Sequence, residues 1–205
     1  HRRGDGLEAT SLKSELNTLR KYLEFAARLD AVPPELPDKV DPPTPSKREE
    51  VSEEKLPADR ALRLLEHLRE QRYGTRDHVL LELAWNTGAR AGALAGLDVS
   101  DYDAEEQYVE FRHRPDLDTP LKNQYEGERP VSLSDCVCDA IDAYLYGDDR
   151  RDVRDDHGRH PLLTSLTGRP TSGTVRDWMY QLTRPCIFGE CPHDRDPEDC
   201  EAMEH

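Results

Sequence analysis

The sequence predicts a mainly α protein with a small three-stranded antiparallel sheet, an α+β core preceded by the end of a helical domain. Apolar residues recur at three- and four-residue steps in several separate stretches. Around residues 99–133 that period gives way to alternation. A proline-rich, charged segment separates the first helical stretch from all the others. The expected organisation is 1–32 as the last helix of an incomplete N-terminal helical domain, 33–56 as a linker, and 57–205 as the core, with a Cys-rich tail from residue 186.

The first helix is read over residues 12–31, with Leu12, Leu16, Leu19, Leu23, Ala26 and Leu29 as its stripe and Ser11 as N-cap. One helix cannot bury such a stripe alone, so it needs a partner in this chain or in helices before it. Pro33, Pro34, Pro37, Pro42, Pro43 and Pro45 then remove donors and fix φ. With Lys47-Arg48-Glu49-Glu50 behind them, they read as a semi-extended, solvated linker. From Pro57 a second helix presents Leu62, Leu64, Leu65 and Leu68 inward. Thr75 is expected to cap a third, carrying Val79, Leu80, Leu83 and Ala84 and stopped by Gly88. Val99–Asp103 and Gln107–Phe111 alternate around an acidic turn and read as a hairpin. Arg129–Leu133 is the third strand, and its Pro130 asks for an edge or a strand start. Ser134 opens a helix through Tyr146, with Val137, Ala140, Ile141 and Leu145 on one side. Residues 147–160 read as a mobile charged loop and 161–164 as a short extended segment. Thr171 or Ser172 opens the last helix, with Val175, Trp178, Met179 and Leu182.

The chain is acidic, with a formal net charge of -15, which ordinarily argues against nucleic acid. Yet 22 of its 28 basic residues are Arg and only 6 are Lys. Excess Asp and Glu with Arg in place of Lys resembles proteins adapted to molar salt. There a Debye length of about 3 Å screens most long-range repulsion. An ordinary acidic cytoplasmic protein is the other reading. No apolar run approaches the roughly 20 residues of a membrane span, and no secretory signal is visible. The chain opens on His1 rather than Met, as a fragment or trimmed product would.

Two basic residues stand apart. Arg90 lies in Thr87-Gly88-Ala89-Arg90, between an apolar helix and the short small-residue stretch Ala91–Gly96. A planar guanidinium there can give a phosphate two parallel hydrogen bonds. Its alternative is a structural pair with Asp98 or Asp101. Lys122 is the sole lysine from residue 56 onward, against 17 arginines. Where charge alone is wanted this chain uses Arg, so Lys122 suggests a group that must release a proton. Its alternative is a surface lysine in a charged loop.

Thr87-Gly88-x-Arg90 with Leu94, Leu97 and Asp101, then a small sheet with Lys122 in its second connection, then helices, resembles the catalytic domain of the tyrosine recombinases, the phage integrase family. The resemblance spans residues 12–185 in layout. It implies a site-specific DNA recombinase that cuts and rejoins strands through a phosphotyrosine intermediate. Arg90 would contact the scissile phosphate, and Lys122 would protonate the 5′-oxygen leaving group. It implies duplex DNA as partner, a tetramer on paired sites, no nucleotide cofactor and no obligatory metal for the chemistry. The family usually carries Glu three residues after the first arginine, where this chain has Ala93. Its His-x-x-Arg motif and tyrosine nucleophile have no match here. Tyr180, the last tyrosine, lies upstream of the nucleophile's place. The expectation is therefore a fragment that binds DNA without cutting it.

Cys186, Cys191, His193 and Cys200 could form a structural Cys3His zinc site, although their spacing is not that of a standard finger. Free thiols are the alternative. Cys136 and Cys138, two apart on a helix, face different ways. Two further functional readings stay open: a DNA-binding integrase remnant without catalysis, and an acidic helical protein-interaction domain with a zinc-stabilised tail.

Overall fold

The computed structural model describes residues 8–46 and 56–184, and the chain divides into two units, His1–Lys55 and Leu56–His205. In the first, α1 spans Ala9–Arg28. It starts ahead of Ser11, because the Leu12 N–H already donates to Glu8 O at 3.0 Å and draws Ser11 into the first turn. Its stripe is only partly covered: Ala26 is buried, while Leu19 and Leu29 are exposed. The proline segment departs from the semi-extended expectation. Pro37–Lys39 forms a 3-10 turn packed on α1, Pro37 and Pro45 are buried, and Arg20 Nη2 reaches Asp38 Oδ1 at 3.2 Å. Proline rings carry apolar area and need no donor, so they can be buried in a turn.

The second unit opens with α2, Ala58–Gln71. Its inward face is Ala61, Leu64, Leu65 and Leu68, at steps of three and four. Leu62, expected inward, falls off this face and is 53% exposed. α3 spans Arg76–Thr87, capped by the Thr75 hydroxyl and ended by Gly88 at φ +60°. Every residue from Asp77 to Leu83 is buried, so the helix is enclosed on all sides over these two turns. That forces three ionisable groups inside, Asp77, His78 and Glu82. Glu82 accepts from Arg69 Nε at 2.6 Å and lies 3.4 Å from His78 Nε2. Burial alone would raise the Glu82 carboxyl, but His78 and Arg69 outweigh it and hold it below its ordinary value.

Next come α4 (Ala91–Gly96) and then the sheet. Val99–Asp101 is a 3-10 turn and not the expected strand. The Asp98 and Asp101 side chains each accept from the other's backbone, and this reciprocal cap bends the chain before it can extend. β1 (Tyr102–Asp103), β2 (Tyr108–Phe111) and β3 (Arg129–Ser132) follow in antiparallel order β1-β2-β3. Val109 faces Tyr102 on one side and Val131 on the other. β3 is an edge strand, where Pro130 costs no ladder bond. α5 (Asp135–Tyr146) and α6 (Ser172–Leu182) complete the unit. Thr171, not Ser172, caps α6 through its hydroxyl at 3.1 Å from the Thr174 nitrogen. Cys138 is buried on α5 and Cys136 exposed. One core joins α3, α4, the sheet, α5 and α6 through residues such as Leu83, Leu94, Phe111, Ile141, Leu162 and Val175.

The charged 147–160 stretch has no regular structure, but it is anchored. Asp155 and Arg159 are largely buried and paired, so the expected mobility does not describe its second half. Among the described residues no helix is long and apolar enough to cross a membrane.

Candidate functional site

Arg90 and Lys122 line one cleft of about 420 Å³. Gly88 ends α3 in a left-handed turn, and Arg90 occupies the N-cap of α4 in extended conformation. The same turn is fixed by Thr87, whose hydroxyl donates to Leu83 O at 2.6 Å and accepts from the Ala89 N–H at 3.2 Å. The Ala93 and Leu94 N–H groups both bond to Arg90 O, at 2.8 and 3.1 Å, so the Arg90 backbone belongs to the helix while its side chain stays exposed. Lys122 lies in the β2–β3 connection. There Leu121 N–H donates to His113 Nδ1 at 2.9 Å, and the His113 ring meets Tyr125 edge-on at 4.8 Å.

The cleft also contains Arg129 and Arg176, which reading the sequence did not single out. Arg129, at the start of β3, lies over the Phe111 ring at 5.3 Å and donates to Gly127 O at 3.2 Å. Arg176 lies on α6, one turn after Ser172, which lines the same wall. A helical spacing of four puts both on one face; that i,i+4 pair was the available signal. Four cations thus share a cleft whose described lining holds no carboxylate, in a chain of net charge -15. Among the described residues none pairs a carboxylate with Arg90, Lys122 or Arg176. Such a site attracts an anion with more than one oxygen to share among several donors.

The alternative partners proposed for Arg90 are occupied elsewhere. Asp98 and Asp101, both buried, belong to a group with Arg114, Arg159, Arg169 and Asp155. Arg114 Nη1 donates to Asp101 Oδ2 at 2.9 Å and Nη2 to Oδ1 at 2.5 Å. Ala93 also lines the cleft, so no acid stands at that position to orient Arg90. Tyr180 lies on α6 and is 40% exposed, and it is not among the cleft residues. Cys186, Cys191, His193 and Cys200 lie outside the described residues.

The sequence model of the phage integrase family matches residues 54–181. The tyrosine recombinase XerD of Mycobacterium leprae (strain TN) is 31% identical over 155 residues, which cover 70% of this chain and 45% of that relative's length. Among solved structures, the Tn1549 transposon integrase in complex with circular intermediate DNA is similar with a TM-score of 0.56 and 17% identity, over 95% of this chain and 65% of that one. A variant of that integrase with another circular intermediate gives a TM-score of 0.55 at 15% identity, over 89% and 60%.

Proposed function

The chain belongs to the phage integrase family, and we propose that its four-cation cleft grips a backbone phosphate of duplex DNA for strand cleavage and rejoining. The observation that carries this is the convergence of Arg90 and Lys122, with Arg129 and Arg176, on one cleft free of described carboxylates. Arg90 supplies paired N–H donors to the non-bridging oxygens. Charge grows on these oxygens as a nucleophile adds to phosphorus, so its contribution is larger in the transition state than in the ground state. Lys122 carries a transferable proton. As the bond from phosphorus to the 5′-oxygen breaks, that proton passes to the departing oxygen, leaving a neutral hydroxyl and a neutral amine. Arg could not do this, because it keeps its proton. The attacking hydroxyl, a tyrosine in this reading, has no assigned residue within the chain. Assembly as a tetramer on paired sites belongs to the same reading.

The test is binding of a short duplex by fluorescence anisotropy. Arg90→Ala is expected to weaken binding by about tenfold or more, the loss of a charge-assisted bond. Lys122→Ala should also weaken it, whereas Lys122→Arg, which keeps the charge, should bind within about threefold of the wild type. Equal affinity of wild type and Arg90→Ala would reject the phosphate grip.

A further inference from the structure

We infer that Asp98 is a positioning residue that sets the three walls of the cleft against one another through Arg114, Arg159 and Arg169. The inference rests on the proposed phosphate grip. Arg90, Lys122 and Arg176 come from three separate segments: the start of α4, the β2–β3 connection, and α6. None of the three is held by a carboxylate of its own among the described residues. Their relative placement must therefore come from the backbone that carries them, and all three carriers meet at one buried carboxylate.

Asp98 lies two residues after the end of α4 and is 4% exposed. Arg169 pairs with its Oδ1, and the same guanidinium donates through Nη1 to Ala95 O at 3.0 Å and Leu97 O at 3.2 Å. This fixes the C-terminal end of the six-residue helix whose N-cap is Arg90. Arg169 also leads through Pro170 into the cap of α6, so it ties α4 to the helix of Arg176. Arg159 Nη1 spans Asp98 Oδ2 at 3.3 Å and the Thr119 hydroxyl at 3.0 Å, while its Nη2 donates to Leu117 O at 2.7 Å. Thr119 is three residues from Lys122. Arg114 Nη1 stands 3.3 Å from Asp98 Oδ2, and its backbone exchanges both hydrogen bonds with Thr119 at 3.0 and 3.1 Å. The two surfaces pack closely here: a Cβ on Gly96 would lie 3.3 Å from Thr119 Cβ. A carboxylate that holds three guanidiniums is costly to bury for stability alone. Here each guanidinium also ties down backbone or a hydroxyl, so the group specifies a spacing. It stands in for the acid that is missing at Ala93.

The test uses double-mutant cycles, read as binding of the full chain to a short random-sequence duplex. In the wild-type background, the Arg90→Ala, Lys122→Ala double variant is expected to bind about threefold to tenfold tighter than the product of the single losses, as for two groups on one phosphate. In Asp98→Asn that coupling is expected to drop below about twofold. Arg159→Lys keeps the charge but cannot span Asp98, Thr119 and Leu117 O together; it should show the same loss and serves if Asp98→Asn does not fold. Glu82→Gln changes a comparably buried carboxylate whose partners have no member in the cleft, and it should lower stability while keeping the coupling. Full coupling in Asp98→Asn or Arg159→Lys would overturn the positioning role while leaving the phosphate grip intact. Loss of coupling in Glu82→Gln would overturn it too, by showing that general destabilisation is enough. If Arg90→Ala and Lys122→Ala have no effect in the wild-type background, the phosphate grip itself fails, and the positioning role with it.

Discussion

Asp155→Asn removes one carboxylate from the group behind the cleft, and its cost can be worked from the structure. The side chain is 7% exposed and accepts from Arg169 Nε at 2.8 Å, with Arg159 Nη2 at 2.9 Å. Burial by itself would raise its pKa. The Arg159 backbone N–H and the guanidiniums of Arg169 and Arg159 outweigh burial and hold it at about 2, against 3.8 for the free group. A carboxyl held that far down contributes about 2 kcal/mol when ionised in both states. The folded value lies below the unfolded one, so this contribution is complete above the unfolded pKa. It drains away as pH falls through the folded pKa. At neutral pH Asp155→Asn should therefore cost about 2 kcal/mol, or roughly 4–8 °C in Tm for a chain of this size. The assay is urea unfolding of wild type and variant at a series of pH values. The gap between them should be full at neutral pH and close as the pH approaches 2. A gap below about 0.5 kcal/mol at neutral pH, or one that stays constant into acid, would refute the reasoning.

Other expectations follow from the same structure. Gly74→Ala should cost about 2 kcal/mol or more by thermal unfolding, because Gly74 has φ +69° and a Cβ there would meet Ala143 Cβ at 2.9 Å; a loss under about 0.5 kcal/mol would show that α5 gives way. Glu82→Ala should cost about 3 kcal/mol, since it opens a buried cavity beside His78 and removes the carboxylate that Arg69 pairs with; a neutral result would show that the pair is replaceable. With at most the four cleft cations on phosphates, log K against log salt should have a slope no steeper than about -3.6. A slope near -8 would mean that many contacts lie outside the cleft. If Cys186, Cys191, His193 and Cys200 hold zinc, elemental analysis of protein purified under reducing conditions should give about one zinc per chain; a metal-free preparation would remove that idea.

The fold was legible where periodicity and punctuation agree. Thr75 and Gly88 bracket α3, and Pro130 announces an edge strand; the structure shows both. Leu62 misled because four leucines in seven residues leave the face ambiguous until Ala61 is seen to take the inward place. Val99–Asp101 alternates like the start of a strand, yet the Asp98 and Asp101 side-chain caps bend it into a turn; an Asp three residues after an Asp is the sign of this in the sequence. In the candidate site, Arg90 and Lys122 stood out as singletons: one framed by an apolar helix and a glycine, the other a lysine among arginines. Arg129 and Arg176 did not, since an arginine in a chain with 35% charged residues looks like surface. The Asp98 group was beyond sequence reading for the same reason. Its members at 98, 101, 114, 155, 159 and 169 come from four segments, and two of them sit in a stretch whose composition reads as solvated loop.

The central claim is that Arg90 and Lys122 meet one DNA phosphate. The chain's few lysines make this directly observable, because Lys122 stands alone after residue 55. Reductive methylation with carbon-13 labels each lysine and keeps its charge, and Lys122→Arg assigns the Lys122 resonance by its disappearance. On titration with a short duplex, the Lys122 resonance should move, and in Arg90→Ala the movement should be largely lost at matched saturation. Saturable duplex binding with a Lys122 resonance that stays in place would contradict the account.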